Sequence, residues 1–263
     1  MRLDKFLAES GIAGRRKVRA LIQSGKVTVN QVIVTEPAMM IRKEDVVEYE
    51  GERITYQEKR YYMFHKPSGC VTARSDEVHK TVMDYFREEP KGIFPVGRLD
   101  KDTEGLLFLT NDGEFDYAMM NPTKHVEKRY FFWALGQMDE ETRKQIETGV
   151  EIGDGDLFTK PAKLEITESG DLAMYQEKLK GLTLRPYNQG AYNRKLIGGY
   201  LTICEGKKHQ VKRMLKAHGC YVLYLKRVAI GDIELDPQLN KGEHRELTAK
   251  EIDILMNRNE KQD

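Results

Sequence analysis

The first 34 residues carry two kinds of hydrophobic pattern, one after the other. Apolar residues recur at helical spacing in two series that each end at a glycine: Leu3, Phe6 and Leu7 before Gly11, and Val18, Leu21 and Ile22 before Gly25. Two short β-branched runs follow, Val27–Val29 and Val32–Val34, with the polar pair Asn30-Gln31 between them. The pattern predicts two short helices followed by a β-hairpin.

The rest of the chain mixes strand-like and helix-like segments without regular alternation. Residues 51–60 are polar and irregular, which predicts a linker, and a strand over Tyr61–Lys66 then stops at Pro67. Further strands are predicted over Leu106–Thr110, Tyr130–Leu135, Tyr200–Ile203 and Val222–Leu225, and helices over Phe115–Met120, Glu140–Thr148 and Val211–His218. We therefore expect a larger α+β domain with a mixed, mainly antiparallel sheet at 61–256, preceded by a small module at 1–57.

Composition excludes several classes of protein. Of 263 residues, 40% are hydrophobic and 32% charged, and no stretch approaches the ~20 consecutive apolar residues that would span a membrane. The opening Met1-Arg2-Leu3-Asp4-Lys5 has no apolar run behind it, so we expect no secretory signal and a cytoplasmic protein. Cys70, Cys204 and Cys220 lack metal-ligand spacing, which favours reduced thiols and no metal site.

The net charge of +1 conceals two basic clusters. Residues 1–30 hold seven Lys or Arg against two acids, and residues 206–227 hold seven against none. On the second predicted helix Arg15, Arg16 and Arg19 lie three and four residues apart and so share one face. Either cluster alone is typical of a solvated helix face, but the two together favour a polyanionic partner.

The segment Gly97–Gly113 carries the strongest chemical signal. It places Arg98 and Asp100 one residue apart, between Gly97 and Gly105, immediately before a four-residue apolar run. A carboxylate at the edge of a buried strand, with a cation beside it, is a candidate catalytic group.

This run, Gly-Arg-Leu-Asp-Lys-Asp-Thr-Glu-Gly, resembles the signature segment of the pseudouridine synthases. The likeness continues in order with Glu127-Lys128-Arg129-Tyr130 and with Glu205–Met214, and it extends over nearly the whole chain. Residues 1–50 resemble the RNA-binding module typified by ribosomal protein S-four. Gly14 replaces the usual capping Ser there, and Gln31 replaces the Gly that favours a tight turn, so a different turn or a small strain is expected.

The resemblance assigns expected roles to four residues. Asp100 would act on the sugar as nucleophile or base, Lys212 would pair with it, and Tyr130 would stack on the target uracil. Arg98 would fill the gap left by a flipped nucleotide or bind its phosphate. From the residues alone Tyr130 is better explained as a core residue of its strand, Arg98 could simply pair with Asp102 or Glu104, and Arg213 could replace Lys212. The remaining RNA-binding candidates are basic or polar residues of the two clusters: Arg2, Lys5, Arg15, Arg16, Arg19, Lys207, Lys208, His209, Gln210 and Arg213.

Finer likeness points to one branch. The segments at 157–165, 230–237 and 242–248 resemble the synthases that modify small-subunit ribosomal RNA, the pseudouridine synthase A type. Large-subunit relatives usually read Asn-Arg-Gln-[Val/Ile]-Arg-Arg-Met where this chain has His209–Met214. Residues 176–199 look like an insertion beyond the compact form, either a mobile loop or a further RNA contact.

Other functions remain open on the sequence. These are the same isomerisation on large-subunit ribosomal RNA, a non-catalytic RNA-binding or ribosome-assembly protein, and a glycoside hydrolase, which normally needs two carboxylates with separate roles. The resemblance implies ribosomal RNA or a subunit assembly intermediate as partner. We expect a monomer with no nucleotide, flavin or metal cofactor, since isomerisation of a uridine already in RNA needs none.

Overall fold

The computed structural model describes residues 1–55, 58–89, 92–153, 158–187 and 194–257. The N-terminal module has two helices and a four-stranded antiparallel sheet in the order β2-β1-β3-β4. Its elements are α1 (Leu3–Glu9), α2 (Arg15–Gln23), β1 (Val27–Val29), β2 (Val32–Ile33), β3 (Val47–Tyr49) and β4 (Glu52–Ile54). The predicted helix-helix-hairpin order is confirmed.

The hairpin turn carries the strain that its sequence predicts. Asn30 has φ of +53° and Gln31 has φ of +66°, so both central residues are left-handed, as a type I′ turn requires. Gln31 therefore occupies a conformation that glycine adopts without steric cost.

One prediction for this module is wrong. The polar stretch 51–60 does not begin as a linker, because Glu52–Ile54 forms β4 and pairs antiparallel with β3. The strand is short, and its Glu52 and Arg53 are exposed, so it lacks the hydrophobic alternation that identifies a strand in sequence. Residues 58–60 have no regular structure, as the linker prediction requires, whereas residues 56–57, with the predicted module boundary at 57, lie outside the described residues.

A buried carboxylate organises the basic face of this module. The Asp4 side chain is completely buried on α1, and its oxygens accept hydrogen bonds from Arg2 at 3.1 Å, Arg19 at 2.9 Å and Arg15 at 3.4 Å. Burial alone would raise the pKa of Asp4, but the hydrogen bonds from Arg19, Arg2 and Arg15 lower it to about 2.

The larger part of the chain is built on a nine-stranded mixed, mainly antiparallel sheet, as expected. Its main path is β13-β5-β7-β11-β8-β10-β9, with β6 added to β7 and β12 added to β11. The strands are β5 (Tyr61–Lys66), β6 (Phe94–Pro95), β7 (Glu104–Thr110), β8 (Lys128–Leu135), β9 (Lys163–Asp171), β10 (Lys195–Ile203), β11 (Tyr221–Ile230), β12 (Ile233–Glu234) and β13 (His244–Glu246).

Helices cover both faces of this sheet. They are α3 (Gly113–Met120), α4 (Glu140–Thr148), α5 (Gln176–Leu179), α6 (Gln210–Ala217) and α7 (Ala249–Asn257). Alternate residues of β7 point to opposite faces: Leu107 packs in the cluster with α4 and α6, and Leu106 in the cluster with α3 and α7. The sequence patterns found α3, α4 and α6 but not α7.

One parallel pairing at the centre of the sheet places the start of β7 beside β11. Lys226 pairs with Glu104, and Arg227 pairs with Gly105. Gly105 has φ of +107°, and a Cβ there would lie 2.2 Å from the carbonyl oxygen of Arg227. Only glycine fits this close approach, and it sets the position of the loop at 98–103 that leads into β7.

We expect Asp4→Asn to destabilise the protein by about 2 kcal/mol at neutral pH, because an ionised Asp4 is favoured in the folded state. The stabilising effect of a lowered pKa is present above the unfolded value of 3.8 and is lost as pH falls toward about 2. Urea unfolding at several pH values checks this. The difference in the free energy of unfolding between wild type and Asp4→Asn should become smaller below pH 4. The control Glu44→Gln, at an exposed position, should show no such pH dependence. A difference that is constant with pH would contradict the account.

Candidate active site

The four residues predicted to carry the chemistry line one pocket. Arg98, Asp100, Tyr130 and Lys212 surround a small pocket of about 70 Å³, where the 98–103 loop meets the beginning of α6 and the strands β8, β10 and β11. Its apolar walls come from Leu99, Ile203, Val211 and Leu225. Residues far apart in sequence thus form a small, partly apolar recess with charged groups at its rim.

Asp100 is paired with Lys212, as predicted. The Lys212 Nζ donates to Asp100 Oδ2 at 2.7 Å, and the Lys212 side chain is only 9% exposed. His209 Nε2 lies 3.6 Å from Asp100 Oδ1. Arg213, the alternative partner, instead directs its guanidinium to the backbone carbonyl of Ile152. Lys212, and not the neighbouring Arg213, is therefore the α6 residue that pairs with this carboxylate.

A second carboxylate shares the same lysine. Lys212 Nζ also donates to Asp102 Oδ1, and the other oxygen of Asp102 lies 2.7 Å from Arg185 Nε. Burial would raise the pKa of Asp102, but the hydrogen bond and charge of Lys212, together with Arg185, lower it below its ordinary value. Both carboxylates of the loop are thus held by cations.

The backbone of the 98–103 loop is anchored by a buried lysine. Lys66, at the end of β5, is completely buried, and its ammonium donates to the carbonyls of Pro67 and Asp100 at 3.0 Å and of Thr103 at 2.9 Å. Burial lowers the pKa of Lys66. The Thr72 hydroxyl adds a bond to the Leu99 carbonyl at 2.8 Å. These contacts fix the backbone on both sides of the Asp100 side chain.

Tyr130 is both a strand residue and a pocket wall. It is 8% exposed on β8, and its ring lines the pocket. Arg227 lies behind it on β11: Nη1 approaches the Tyr130 hydroxyl at 3.4 Å, and Nε donates to the Leu106 carbonyl at 2.7 Å. Membership of the core does not exclude a role in the pocket.

Arg98 does not form the surface ion pair with Asp102 or Glu104 that the sequence left open. Asp102 is held by Lys212 and Arg185, and buried Glu104 by Lys241 at 2.9 Å and the Tyr224 hydroxyl. Arg98 is exposed and forms no ion pair or hydrogen bond with any residue in the described ranges. Its guanidinium is available to a ligand at the pocket mouth.

Comparison with known proteins decides the family. A family model described as RNA pseudouridylate synthase matches residues 60–217, and the S4 domain model matches residues 1–47. An uncharacterized RNA pseudouridine synthase of Bacillus subtilis is 40% identical, over 97% of this chain and 98% of its own length. The chain belongs to the pseudouridine synthase family. It is an RNA uridine isomerase with an N-terminal S4 domain.

Named relatives of this synthase fall into two groups. The ribosomal large subunit pseudouridine synthase B of Bacillus subtilis is 36% identical, over 97% of this chain and 95% of its own. The ribosomal small subunit pseudouridine synthase A of Escherichia coli is also 36% identical, over 96% and 98%. A crystal structure of a pseudouridylate synthase superposes with a TM-score of 0.63 at 34% identity, covering 97% of this chain and 99% of that one.

The RNA-binding candidates of the synthase near α6 differ in availability. Lys208 and His209 are exposed beside the pocket, whereas Lys207 is bound to Glu205 at 2.8 Å. Gln210 is buried, and its amide joins Glu205 to the backbone of Lys207. Gln210 also lines the pocket, and its amide has one N–H and one lone pair beyond these two bonds.

The N-terminal candidates also separate. Arg16 is exposed and has no ion pair within the described part of the chain, while Arg2, Arg15 and Arg19 share Asp4. Lys5 pairs with Glu114 of α3 at 2.6 Å and so connects the S4 domain to the catalytic domain.

Sequence reasoning missed four residues of this site. They are Lys66, Thr103, Arg185 and Arg227. Thr103 and Arg227 are buried, and the Thr103 hydroxyl and Arg227 Nη2 have no hydrogen-bond partner among the described residues. A charged residue at the end of a strongly apolar strand was the available signal for Lys66; the other three depend on tertiary contacts.

Nothing else in the described ranges indicates a different class of site. They contain no group of three or more His, Cys, Asp or Glu placed to hold a metal ion. They also contain no helix long and apolar enough to cross a membrane.

We expect Lys66→Met to reduce both stability and activity of the synthase. The substitution keeps the side-chain length but leaves buried carbonyls unsatisfied, at a cost of about 1–3 kcal/mol, and frees the loop that carries Asp100. Chemical denaturation and the single-turnover rate measure the two effects. Lys101→Met, an exposed lysine of the same loop, is the control and should behave as wild type. Normal activity of Lys66→Met would show that the anchor is dispensable.

Proposed function

We propose that this synthase converts a specific uridine of small-subunit ribosomal RNA to pseudouridine, with Asp100 as the catalytic carboxylate. The observation that carries the proposal is the Asp100–Lys212 pair at the rim of a pocket with one aromatic and several apolar walls. The reaction breaks the bond between ribose and uracil and rejoins the base through carbon. It needs a carboxylate at the sugar and a place that excludes water from the opened sugar.

Each residue of the pocket has a place in this scheme. A uridine leaves the RNA stack and enters the pocket, where Tyr130 offers a face for the uracil. Asp100 acts on the sugar as nucleophile or base, and Lys212 donates a hydrogen bond to its carboxylate at 2.7 Å. The free guanidinium of Arg98 occupies the gap in the RNA or binds the phosphate of the flipped nucleotide.

The S4 domain supplies the other half of binding. Arg15, Arg16 and Arg19 hold the RNA backbone, largely without reading sequence, with Lys208 and His209 as contacts near the pocket. We assign residues 1–57 to this RNA-binding domain and 61–256 to the catalytic domain. The enzyme acts as a monomer in the cytoplasm, on ribosomal RNA or on an assembling subunit.

The choice of the small subunit rests on particular segments. The sequence His209–Met214 departs from the large-subunit pattern, and the segments at 230–237 and 242–248 resemble the small-subunit branch. Small-subunit synthases A from several bacteria are 34–36% identical to this chain. The large-subunit synthase B of Bacillus subtilis is as similar, at 36%, and therefore makes large-subunit RNA the second candidate.

We expect Asp100→Asn to lower the single-turnover rate by about 10³-fold or more, because the amide can serve neither as nucleophile nor as base. The assay uses ribosomal RNA transcripts carrying tritium at uracil C5, which is released when carbon replaces hydrogen there. RNA affinity, measured separately, should change little. A wild-type rate would refute the assignment of Asp100.

We expect Arg15→Ala/Arg16→Ala to weaken RNA binding and to reduce the slope of log affinity against log salt by about one for each lost phosphate contact. The matched control, Arg87→Ala/Lys144→Ala, removes two exposed cations outside the S4 domain and should leave the slope unchanged. An unaltered slope for the first variant would show that this face is not the anchor.

Mapping pseudouridine in both ribosomal RNAs, with and without the gene, tests the substrate. We expect one carbodiimide-dependent primer-extension stop to disappear from small-subunit RNA and to return with the wild-type gene but not with Asp100→Asn. A lost stop in large-subunit RNA would keep the chemistry and overturn the subunit. No lost stop in either would favour a different RNA or a binding role.

A further inference from the structure

We propose that Arg185 is a positioning residue of the catalytic site, acting through Asp102 to hold Lys212 on Asp100. The proposal rests on the role proposed above for Asp100. Arg185 lies in the segment 176–199, which the sequence predicts to be an insertion, either a mobile loop or a further RNA contact. Part of that segment, residues 188–193, lies outside the described ranges, but Arg185 and its contacts do not.

Three contacts fix the position of Arg185. Its backbone N–H donates to the Leu223 carbonyl at 2.8 Å, and its Nη1 donates to the Val222 carbonyl at 3.1 Å, both on β11. The guanidinium carbon lies 5.0 Å from the ring centre of Tyr221. The Tyr221 hydroxyl in turn donates to the Pro186 carbonyl at 2.7 Å. The arginine is therefore docked on the sheet rather than left on a free loop.

Apolar contacts also hold this segment against the sheet. Leu182 and Leu184 pack against the cluster that contains Trp133, Leu223 and Tyr224. This packing and the β11 contacts place the guanidinium 2.7 Å from Asp102, with the Arg185 side chain 28% exposed. Because both sides of the segment are bound to the sheet, the guanidinium reaches Asp102 with little loss of side-chain entropy on contact.

The charges alternate along one line of contacts: Asp100, Lys212, Asp102 and Arg185. Without Arg185 two carboxylates would share the single ammonium of Lys212, and each would weaken the hold of the other. Arg185 occupies the Asp102 oxygen that Lys212 does not use. It thereby neutralises part of the charge of Asp102 and weakens the attraction of Asp102 for the ammonium that Asp100 shares. His209 and buried Lys66 also lie near the loop, Arg98 and Lys101 are part of it, and Glu104 follows it.

This role has a kinetic signature that differs from that of an RNA contact. A residue that acts through Asp102 changes the rate of the chemical step, while an arginine that binds phosphate changes affinity and its salt dependence. The two roles are distinguished by measuring single-turnover rate and RNA affinity on the same variants.

The test is a double-mutant cycle with Arg185→Gln, Asp102→Asn and the combined variant, on C5-tritiated transcripts of both ribosomal RNAs. We expect Arg185→Gln to lower the saturating single-turnover rate about tenfold, with RNA affinity and salt slope unchanged. Arg185→Lys should recover most of the rate. In the Asp102→Asn background, Arg185→Gln should cause no further loss. Lys180→Gln removes a charge from the same segment that pairs with Glu177, and it should match wild type.

Other outcomes overturn the proposal. A rise in the RNA concentration needed for half-saturation, with a shallower salt slope, would make Arg185 a phosphate contact. Arg185→Gln could instead lower the rate equally in the wild-type and Asp102→Asn backgrounds, with no recovery in Arg185→Lys. That result would make Arg185 part of the structural scaffold. Asp100→Asn is measured alongside: if that variant remained active, the proposed catalytic carboxylate would be at fault rather than the role of Arg185.

Discussion

The site depends on one buried cation, Lys66. Its ammonium satisfies the backbone carbonyls of Asp100 itself and of Thr103, and it is completely removed from solvent. Burial of an ammonium costs several kcal/mol unless it is fully hydrogen-bonded, so the loop and the lysine require each other. Lys66 is also the last residue of β5, which pairs with β7. The position of the 98–103 loop is therefore set by the centre of the sheet.

The side chains of the loop are then ordered by a second set of charges. Lys212 arrives from α6 and meets both Asp100 and Asp102, and the close approach of β7 to β11 at Gly105 brings these elements together. The backbone carbonyls of the loop thus bind one cation, Lys66, whereas its carboxylates bind other cations, Lys212 and Arg185. This division lets Asp100 face the pocket while the loop remains fixed.

The sequence supported the local features and the family, and the tertiary contacts supplied the rest. Helical spacing predicted α1, α2 and α6, and the motif around Asp100 identified the 98–103 loop as a candidate site, because these signals are contained within short stretches. It missed β4, whose exposed Glu52 and Arg53 show no alternation, and it missed the function of Lys66. It also could not pair Arg185 with Asp102, since 83 residues of chain separate them and only the docking of the segment on β11 joins them.

The central claim is that Lys212 sustains a catalytic Asp100, and single-turnover kinetics of Lys212 variants test it most directly. Lys212→Met should lose at least about a hundredfold in rate with RNA affinity retained, while Lys212→Arg, which keeps the charge, should retain much of the rate. Lys216→Met, one turn further along α6 and exposed, serves as the control. A Lys212→Met enzyme that isomerised uridine at the wild-type rate would contradict the account.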